Sequence, residues 1–202
     1  MTEEGLAKIS EELRRIAALH DCVFVDESRP RATSEQIEAL ESFVGAPLPS
    51  SYRSLLEWRD GLALRFIRKC DVEDAFPIAS YQLTVYGTAE FARETENFQY
   101  IVETTSEIAN DRVQRSFDIV NLGETKSRIL FSLDAPRQPT EYGIFAIDID
   151  DYNEQEWENA MKDVDRFVIA DSLDDFLIKA LDHMVKTENG FWYWHGPQRS
   201  LW

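Results

Sequence analysis

Two short helical patterns joined by a proline-defined corner constrain this chain more than any other part of its sequence. The stretch Thr33–Leu62 reads TSEQIEALESFVGAPLPSSYRSLLEWRDGL. Thr33, followed three residues later by Gln36, predicts a capping box at the start of the first helix. Gly45 suits the left-handed position just past that helix, and Pro49 suits the first helical position of the next one. The sequence therefore predicts a helix–corner–helix unit.

Each of these predicted helices carries apolar residues at helical spacing, so each is expected to bury one face. The apolar residues are Ile37, Leu40, Phe43 and Val44 in the first helix, and Tyr52, Leu55 and Leu56 in the second. Gly61 is predicted to end the second helix. Both helices are therefore expected to pack against one core.

Downstream of the corner unit, the clearest pattern is that of antiparallel strands. Segments rich in β-branched and apolar residues, Asp118–Leu122 and Arg128–Leu133, flank a short loop around Gly123 and predict a hairpin. Two further strands are predicted at Tyr142–Asp148 and Arg166–Ala170. This part of the chain is expected to form a meander.

The middle of the chain is less regular. A strand is predicted at Leu83–Tyr86, a short helix at Ala89–Phe98 and another strand at Gln99–Thr104. Leu62–Phe76 mixes apolar and charged residues without clean periodicity. Pro136 is predicted to lie in the connection before the next strand.

Helices are predicted at both ends of the chain. An amphipathic helix is expected over Thr2–His20, followed by a short strand at Val23–Val25. Ser172, with Asp175 three residues later, predicts a capping box at the start of a closing helix, Leu173–Lys186. The chain is therefore predicted to be a single α+β domain, with N-terminal helices packed on a mostly antiparallel sheet and a closing C-terminal helix.

The corner and a segment near the far end also carry a resemblance to a known family. The corner residues that carry it are Glu41, Gly45, Leu48, Pro49, Tyr52, Leu55, Leu56, Asp60 and Gly61. The far segment is Ala170–Leu177, in which Ser172 and Phe176 match. In order and spacing these motifs resemble the SUKH superfamily, which includes yeast cell-wall-assembly regulators and bacterial immunity proteins that neutralise secreted toxins.

The resemblance implies a division of the chain and a function. It implies an accessory N-terminal helix and linker (1–32), a SUKH-like domain (33–186) and an aromatic-rich C-terminal tail (187–202). It implies a non-enzymatic immunity protein that occludes a toxin, often a nuclease or deaminase in this family. The yeast members imply the alternative, a housekeeping regulatory adaptor without a toxin partner. Glu41 is expected to make a structural hydrogen bond or ion pair near the corner. Leu62 and the region Arg93–Arg115 depart from the family pattern.

Composition and charge narrow the class of partner. With 202 residues, 44% of them hydrophobic, the chain can bury the core of one domain. Its net charge of −17 argues against direct binding to nucleic acid, which depends on neutralising phosphates, and favours a basic protein partner. An acidic surface that only keeps the protein soluble is the alternative. No apolar run is long enough to cross a membrane, and no signal peptide is recognisable, so a cytoplasmic location is expected.

The densest charge lies in one segment, Asp148–Asp165, which we call the acidic strip. It holds eight acidic residues against one basic residue, Lys162. Three interpretations of the strip are open: a solvated connection between strands, a docking surface for a basic partner, and a metal site. Its residues proposed to contact a partner are Asp148, Asp150, Asp151, Glu154, Glu156, Trp157 and Glu158.

A metal site in the strip is the weakest of these readings. Asp148, Asp150 and Asp151 could supply oxygen ligands for a metal-dependent hydrolase. However, Tyr152 and Asn153 occupy the positions where a calcium loop needs an oxygen ligand and a glycine. No metal, cofactor or catalytic residue is therefore predicted.

Aromatic side chains supply the remaining contact candidates, because they bury much area at interfaces. Trp58 at the end of the second corner helix and Trp192 in the tail are predicted to contact a partner, together with Trp157. The tail either docks on its own domain or serves an interface, with a toxin or with a second copy, so monomer and homodimer both stay open. His20, His183 and His195 are expected to be structural or surface residues, since none lies near a nucleophile motif.

Overall fold

A computed structural model describes residues 3–18, 22–69, 78–105, 115–121, 127–138, 140–148 and 168–186. The helices in this part of the chain are α1 (Glu3–Ala17), α2 (Ser34–Val44), α3 (Ser50–Trp58), α4 (Thr88–Thr105) and α5 (Leu173–Lys186). Its strands are β1 (Cys22–Asp26), β2 (Leu62–Lys69), β3 (Ile78–Val85), β4 (Ser116–Asn121), β5 (Ser127–Gln138), β6 (Glu141–Asp148) and β7 (Val168–Ala170). The predicted α+β single domain is confirmed.

The strands form one antiparallel sheet in which spatial order follows chain order, from β1 to β7. The corner helices α2 and α3 are inserted between β1 and β2, and α4 between β3 and β4. The joint between β3 and β4 is short, with only two residue pairs, Thr84 with Asn121 and Val85 with Val120. The predicted meander is the part from β4 to β7, in which each strand pairs with the next.

One face of the sheet packs against the helices. The buried residues alternate along the strands, as Leu62 and Leu64 do in β2 and Leu83 and Val85 in β3. Helices α1 and α5 pack against each other, and α5 also contacts α3. The apolar stripe of α5, which includes Phe176, is fully buried.

Phe91 of α4 lies at the centre of an aromatic cluster in this core. Its ring is stacked with those of Phe117 in β4 and Phe131 in β5, at centroid distances of 6.2 and 6.4 Å. Tyr52 of α3 lies 5.6 Å away, and Phe43 of α2 meets the Phe91 ring edge-on at 6.1 Å. The cluster therefore joins three helices to the middle of the sheet.

The corner unit forms as its local signals predict. Thr33 and Gln36 make the capping box in both directions. Gly45 ends α2 with φ of 71°, and its N–H donates to the Glu41 carbonyl oxygen. Pro49 is the N-cap of α3 and not its first helical residue, so that prediction was off by one position.

Three other expectations were wrong. Phe43 is not part of the buried stripe of α2, because its side chain is 39% exposed. Gln99–Thr104 is not a strand, since α4 continues through it to Thr105. Gly61 does not end α3, since that helix ends at Trp58. Leu62–Lys69, for which the sequence predicted no element, is a strand held on both sides by neighbouring strands.

Two smaller corrections concern β5 and α5. Pro136 lies within the irregular end of β5, opposite Tyr142, and not in the connection. At the start of α5 the Ser172 hydroxyl accepts the Asp175 N–H at 3.3 Å, but the Asp175 carboxylate accepts from Lys179. Ser172 therefore caps the helix, but only this half of the predicted capping box is formed.

Across the described residues, no helix combines the length and the apolar content that crossing a membrane requires.

Candidate functional site

Few of the residues predicted to contact a partner belong to the described part of the chain. Trp58 ends α3, where its side chain packs partly buried against the core and the Arg59 guanidinium lies 4.7 Å from its ring centroid. Asp148 ends β6. The others lie outside the described residues: Asp150, Asp151, Glu154, Glu156, Trp157, Glu158 and Trp192. Contact through the acidic strip and the tail therefore stays a prediction.

Glu41 joins the two corner helices. Its Oε1 atom accepts a hydrogen bond from Arg53 Nη1 at 2.8 Å and from the Leu48 N–H at 3.3 Å. Arg53 also donates to Glu57, one turn further along α3, at 3.1 Å. One carboxylate in the last turn of α2 thus holds both the corner and the next helix.

The Asp60–Gly61 pair holds the start of α4. The Asp60 carboxylate accepts from the N–H and the hydroxyl of Thr88, at 2.6 and 2.9 Å. The first N–H groups of a helix have no partner within the helix, so this side chain from another loop caps it. Gly61 has φ of 83°, and a Cβ added there would lie 2.6 Å from the Val85 carbonyl oxygen. Both residues of the pair therefore have structural roles.

Glu141 forms a buried polar contact that no sequence motif revealed. Its Oε1 accepts from the Ser51 N–H at 2.6 Å and its Oε2 from the Ser51 hydroxyl at 2.7 Å. Ser51 Oγ in turn accepts the N–H of Leu173, the first residue of α5, at 3.1 Å. The Ser50 hydroxyl also donates to Glu141. One carboxylate on β6 therefore caps α3 directly and orders the serine that caps α5.

The first prediction concerns this contact. Replacing Glu141 with glutamine is expected to lower the free energy of unfolding by about 2 kcal/mol. The glutamine NH2 group would take the place of a carboxylate oxygen and would face the Ser51 N–H or hydroxyl, which are themselves donors. Urea unfolding measures the loss. Glu57→Gln is the control, since Glu57 lies on α3, the helix that Glu141 caps, and its side chain is 53% exposed. Equal stability of the Glu141 and Glu57 variants would contradict the role assigned to Glu141.

A second buried carboxyl lies on the other face of the sheet. Asp118 is fully buried, opposite Leu130, and its Oδ2 accepts from Arg128 Nη1 at 3.1 Å. Arg128 Nη1 also lies 3.1 Å from the Tyr86 hydroxyl. Burial raises the pKa of Asp118 to about 8; the Arg128 guanidinium only partly offsets it, and Glu94 on α4 adds to it.

This polar cluster continues into the core through Tyr86. The hydroxyl of Tyr52 donates to the Tyr86 carbonyl oxygen at 2.7 Å, and burial raises the pKa of both phenols well above their usual range. A raised carboxyl pKa is typical of catalytic acids, but it also marks structural ion pairs. Because the Asp118 side chain has no exposed surface, we assign it to structure.

The described residues contain no cluster of three or more acidic, histidine or cysteine side chains placed to hold a metal ion. The possible ligands Asp150 and Asp151 lie outside that search. The carboxylates described above instead cap helices and pair with arginines.

Comparison with known proteins decides the family. A model described as the SMI1 / KNR4 family (SUKH-1) matches residues 31–201. The chain belongs to this family. The resemblance to the SUKH superfamily, predicted from the corner and the far segment, is thereby confirmed. A comparison with curated proteins gave no match.

In this SMI1/KNR4 chain the resemblance motifs coincide with the buried contacts described above. Tyr52 and Phe176 are fully buried, and Leu48 is nearly so. Gly45 ends α2, and Asp60 caps α4. The motifs therefore specify the fold of this chain.

Proposed function

We propose that this chain is a non-catalytic immunity protein that binds a basic toxin domain, of nuclease or deaminase type, and occludes its active or substrate site. Membership of the SUKH-1 family carries the proposal, because it supports a toxin-immunity or related role at the level of the family. The net charge of −17 adds support, since an enzyme that acts on nucleic acid presents a basic surface to its substrate.

The proposed mechanism is steric and electrostatic. Long-range attraction between the acidic chain and a basic toxin speeds their encounter, and aromatic anchors then form the close contacts. We assign the attraction to the acidic strip and propose Trp58, Trp157 and Trp192 as anchors. A cytoplasmic location follows from the same proposal, since self-protection is needed where a toxin would act.

A tagged pull-down from the native organism, repeated at low and high salt, tests the function. We expect one stoichiometric basic protein that is held more weakly at high salt. Expressed alone, that protein should be toxic, and co-expression of this chain should restore growth. Recovery of cytoskeletal, cell-wall or signalling proteins instead would favour the regulatory adaptor, and recovery of no partner would contradict the immunity role.

The acidic strip gives a second prediction. Neutralising its acids should lower the association rate with the recovered partner about tenfold at low salt and flatten the salt dependence of that rate. The substitutions are Asp150→Asn, Asp151→Asn, Glu154→Gln and Glu156→Gln. Stopped-flow mixing measures the rate.

The control for the strip changes the net charge by the same amount elsewhere. It replaces four exposed glutamates with glutamine: Glu4, Glu11, Glu27 and Glu96. If both variants slow association equally, the total charge steers the encounter and the strip has no special part. An unchanged rate in the strip variant would remove the strip from the mechanism.

A further inference from the structure

The outer side of α2 is an exposed helix face that the proposed function leaves without a role. Its residues are Glu35, Glu38, Ala39, Ser42 and Phe43, all exposed, and we call this face the α2 crest. It lies on the helix that is ordered at both ends, by the capping box at Thr33 and by the left-handed Gly45.

Phe43 gives the crest an apolar anchor. It lies about 60° around the helix from the buried Leu40 and about 120° from the buried Ile37, so it stands at the border of the buried stripe. The ring edge meets Phe91, while 39% of the side chain is exposed. Phe91 is itself fully buried, so Phe43 packs against the core on one side and is open to solvent on the other. An aromatic ring already held in place loses little freedom on binding, as interface anchors require.

The crest carries acidic charge that no basic side chain of α2 offsets. Several arginines elsewhere pair with acids, as Arg29 does with Glu90 and Arg65 with Glu27. Helix α2 has three glutamates and no basic residue, and of the three only Glu41 makes an ion pair within the described residues.

The two other glutamates of α2 therefore leave its outer side acidic. Glu35 is engaged only locally, at the start of the helix, where hydrogen bonds with its own N–H and the Thr33 hydroxyl lower its pKa. Glu38 has no ion-pair partner in the described part of the chain. Their charges remain unneutralised on the outer side of the helix, where Glu35 lies about 80° and Glu38 about 140° around the helix from Phe43.

We propose that the α2 crest is the docking face for the basic protein partner. Phe43 enters an apolar depression on that partner, and Glu35 and Glu38 face lysine or arginine side chains around it. The acidic charge and the exposed ring together specify the occupant: a basic surface with an apolar recess. The proposal rests on the proposed function for the existence of a basic partner, and it adds the surface that contacts it.

The test uses the full-length chain and the basic protein recovered in the pull-down, purified. Phe43→Ser is expected to weaken binding at least about tenfold, mainly through faster dissociation. Glu35→Gln with Glu38→Gln is expected to slow association several-fold and to reduce its salt dependence. Biolayer interferometry measures both rates, and thermal unfolding of each variant checks that it folds.

The matched control lies on the exposed side of α4. Tyr100→Ser removes a side chain that is 67% exposed, and Glu96→Gln removes an exposed charge. Both control variants are expected to bind within about twofold of the wild type. Equal losses in crest and control variants would overturn the proposal, because they would show a general effect of charge and apolar area.

The outcomes separate this proposal from the function on which it rests. Tight binding by folded crest variants, with a partner that is toxic when expressed alone, overturns the crest and leaves immunity intact. A partner that is basic but harmless overturns immunity, and the crest variants still decide whether α2 contacts it. Recovery of no basic protein overturns both.

Discussion

Replacing Gly87 with alanine is expected to lower the free energy of unfolding by at least about 3 kcal/mol. A Cβ at this position would lie 2.8 Å from Asp60 Oδ1 and 2.9 Å from the Asp60 carbonyl carbon. The backbone of Asp60 would have to move away, and its carboxylate would no longer cap Thr88 at the start of α4. Urea unfolding measures the loss.

Gly45→Ala is the matched control for this substitution. Gly45 has φ of 71°, but no atom lies within 4 Å of an added Cβ. Alanine there is destabilising only through the strain of the left-handed conformation, about 1 kcal/mol. A loss at Gly87 no larger than the loss at Gly45 would show that the close approach of the two loops is not needed for stability.

Replacing Asp118 with asparagine is expected to change how stability depends on pH. Burial raises the pKa of Asp118 from its usual 3.8 to about 8, so the folded chain holds this proton more tightly than the unfolded chain does. Its contribution to stability is therefore full below about pH 4 and is lost as the pH rises towards 8. The stability of the wild type relative to Asp118→Asn should fall by several kcal/mol across that window.

Urea unfolding of both proteins at a series of pH values measures this difference. Taking the difference removes the titration of the other acids, which both proteins share. Asp171→Asn is the control for the loss of one negative charge, because the Asp171 side chain is 77% exposed. A difference that stays constant, or rises with pH, would show that Arg128 holds Asp118 ionised in the folded chain.

The elements predicted correctly from the sequence are those whose signals lie within a few residues of one another. Thr33 and Gln36 cap α2 from three residues apart, and Gly45 ends it. The closing helix α5 begins at Leu173 and ends at Lys186, as its stripe predicts. Such local signals also carried the family resemblance, because they recur wherever the same turn and cap are built.

The elements missed depend on distant partners. The strand β2 is specified by pairing with β1 and β3, which its own mixed sequence does not reveal. The β-branched residues near the end of α4 favour a strand locally, but the helix that packs against β4 continues through them. Tertiary context decided both cases.

The buried carboxylates show the same limit. Glu141 follows a proline-containing connection and would be taken for a solvated loop residue, since Ser51 lies 90 residues away in the chain. Asp118 interrupts an apolar run, which favours exposure on the outer face of a strand, yet β4 is buried on both faces. Phe43 shows the opposite error: its spacing favoured burial, but it is 39% exposed. The face that α2 buries includes Ile37, Leu40 and Val44 and does not extend to Phe43.

The two-pair joint between β3 and β4 bears on how the chain folds. Every strand pairing of the described sheet joins consecutive strands, and those with the shortest connections, β2 with β3 and β4 to β6, can form through short-range encounters, whereas helices are inserted between β1 and β2 and between β3 and β4. The joint between β3 and β4, which has two residue pairs, has to wait for α4 to form and dock. The sheet is therefore expected to form as two units, β1 to β3 and β4 to β7, which join when α4 docks between them.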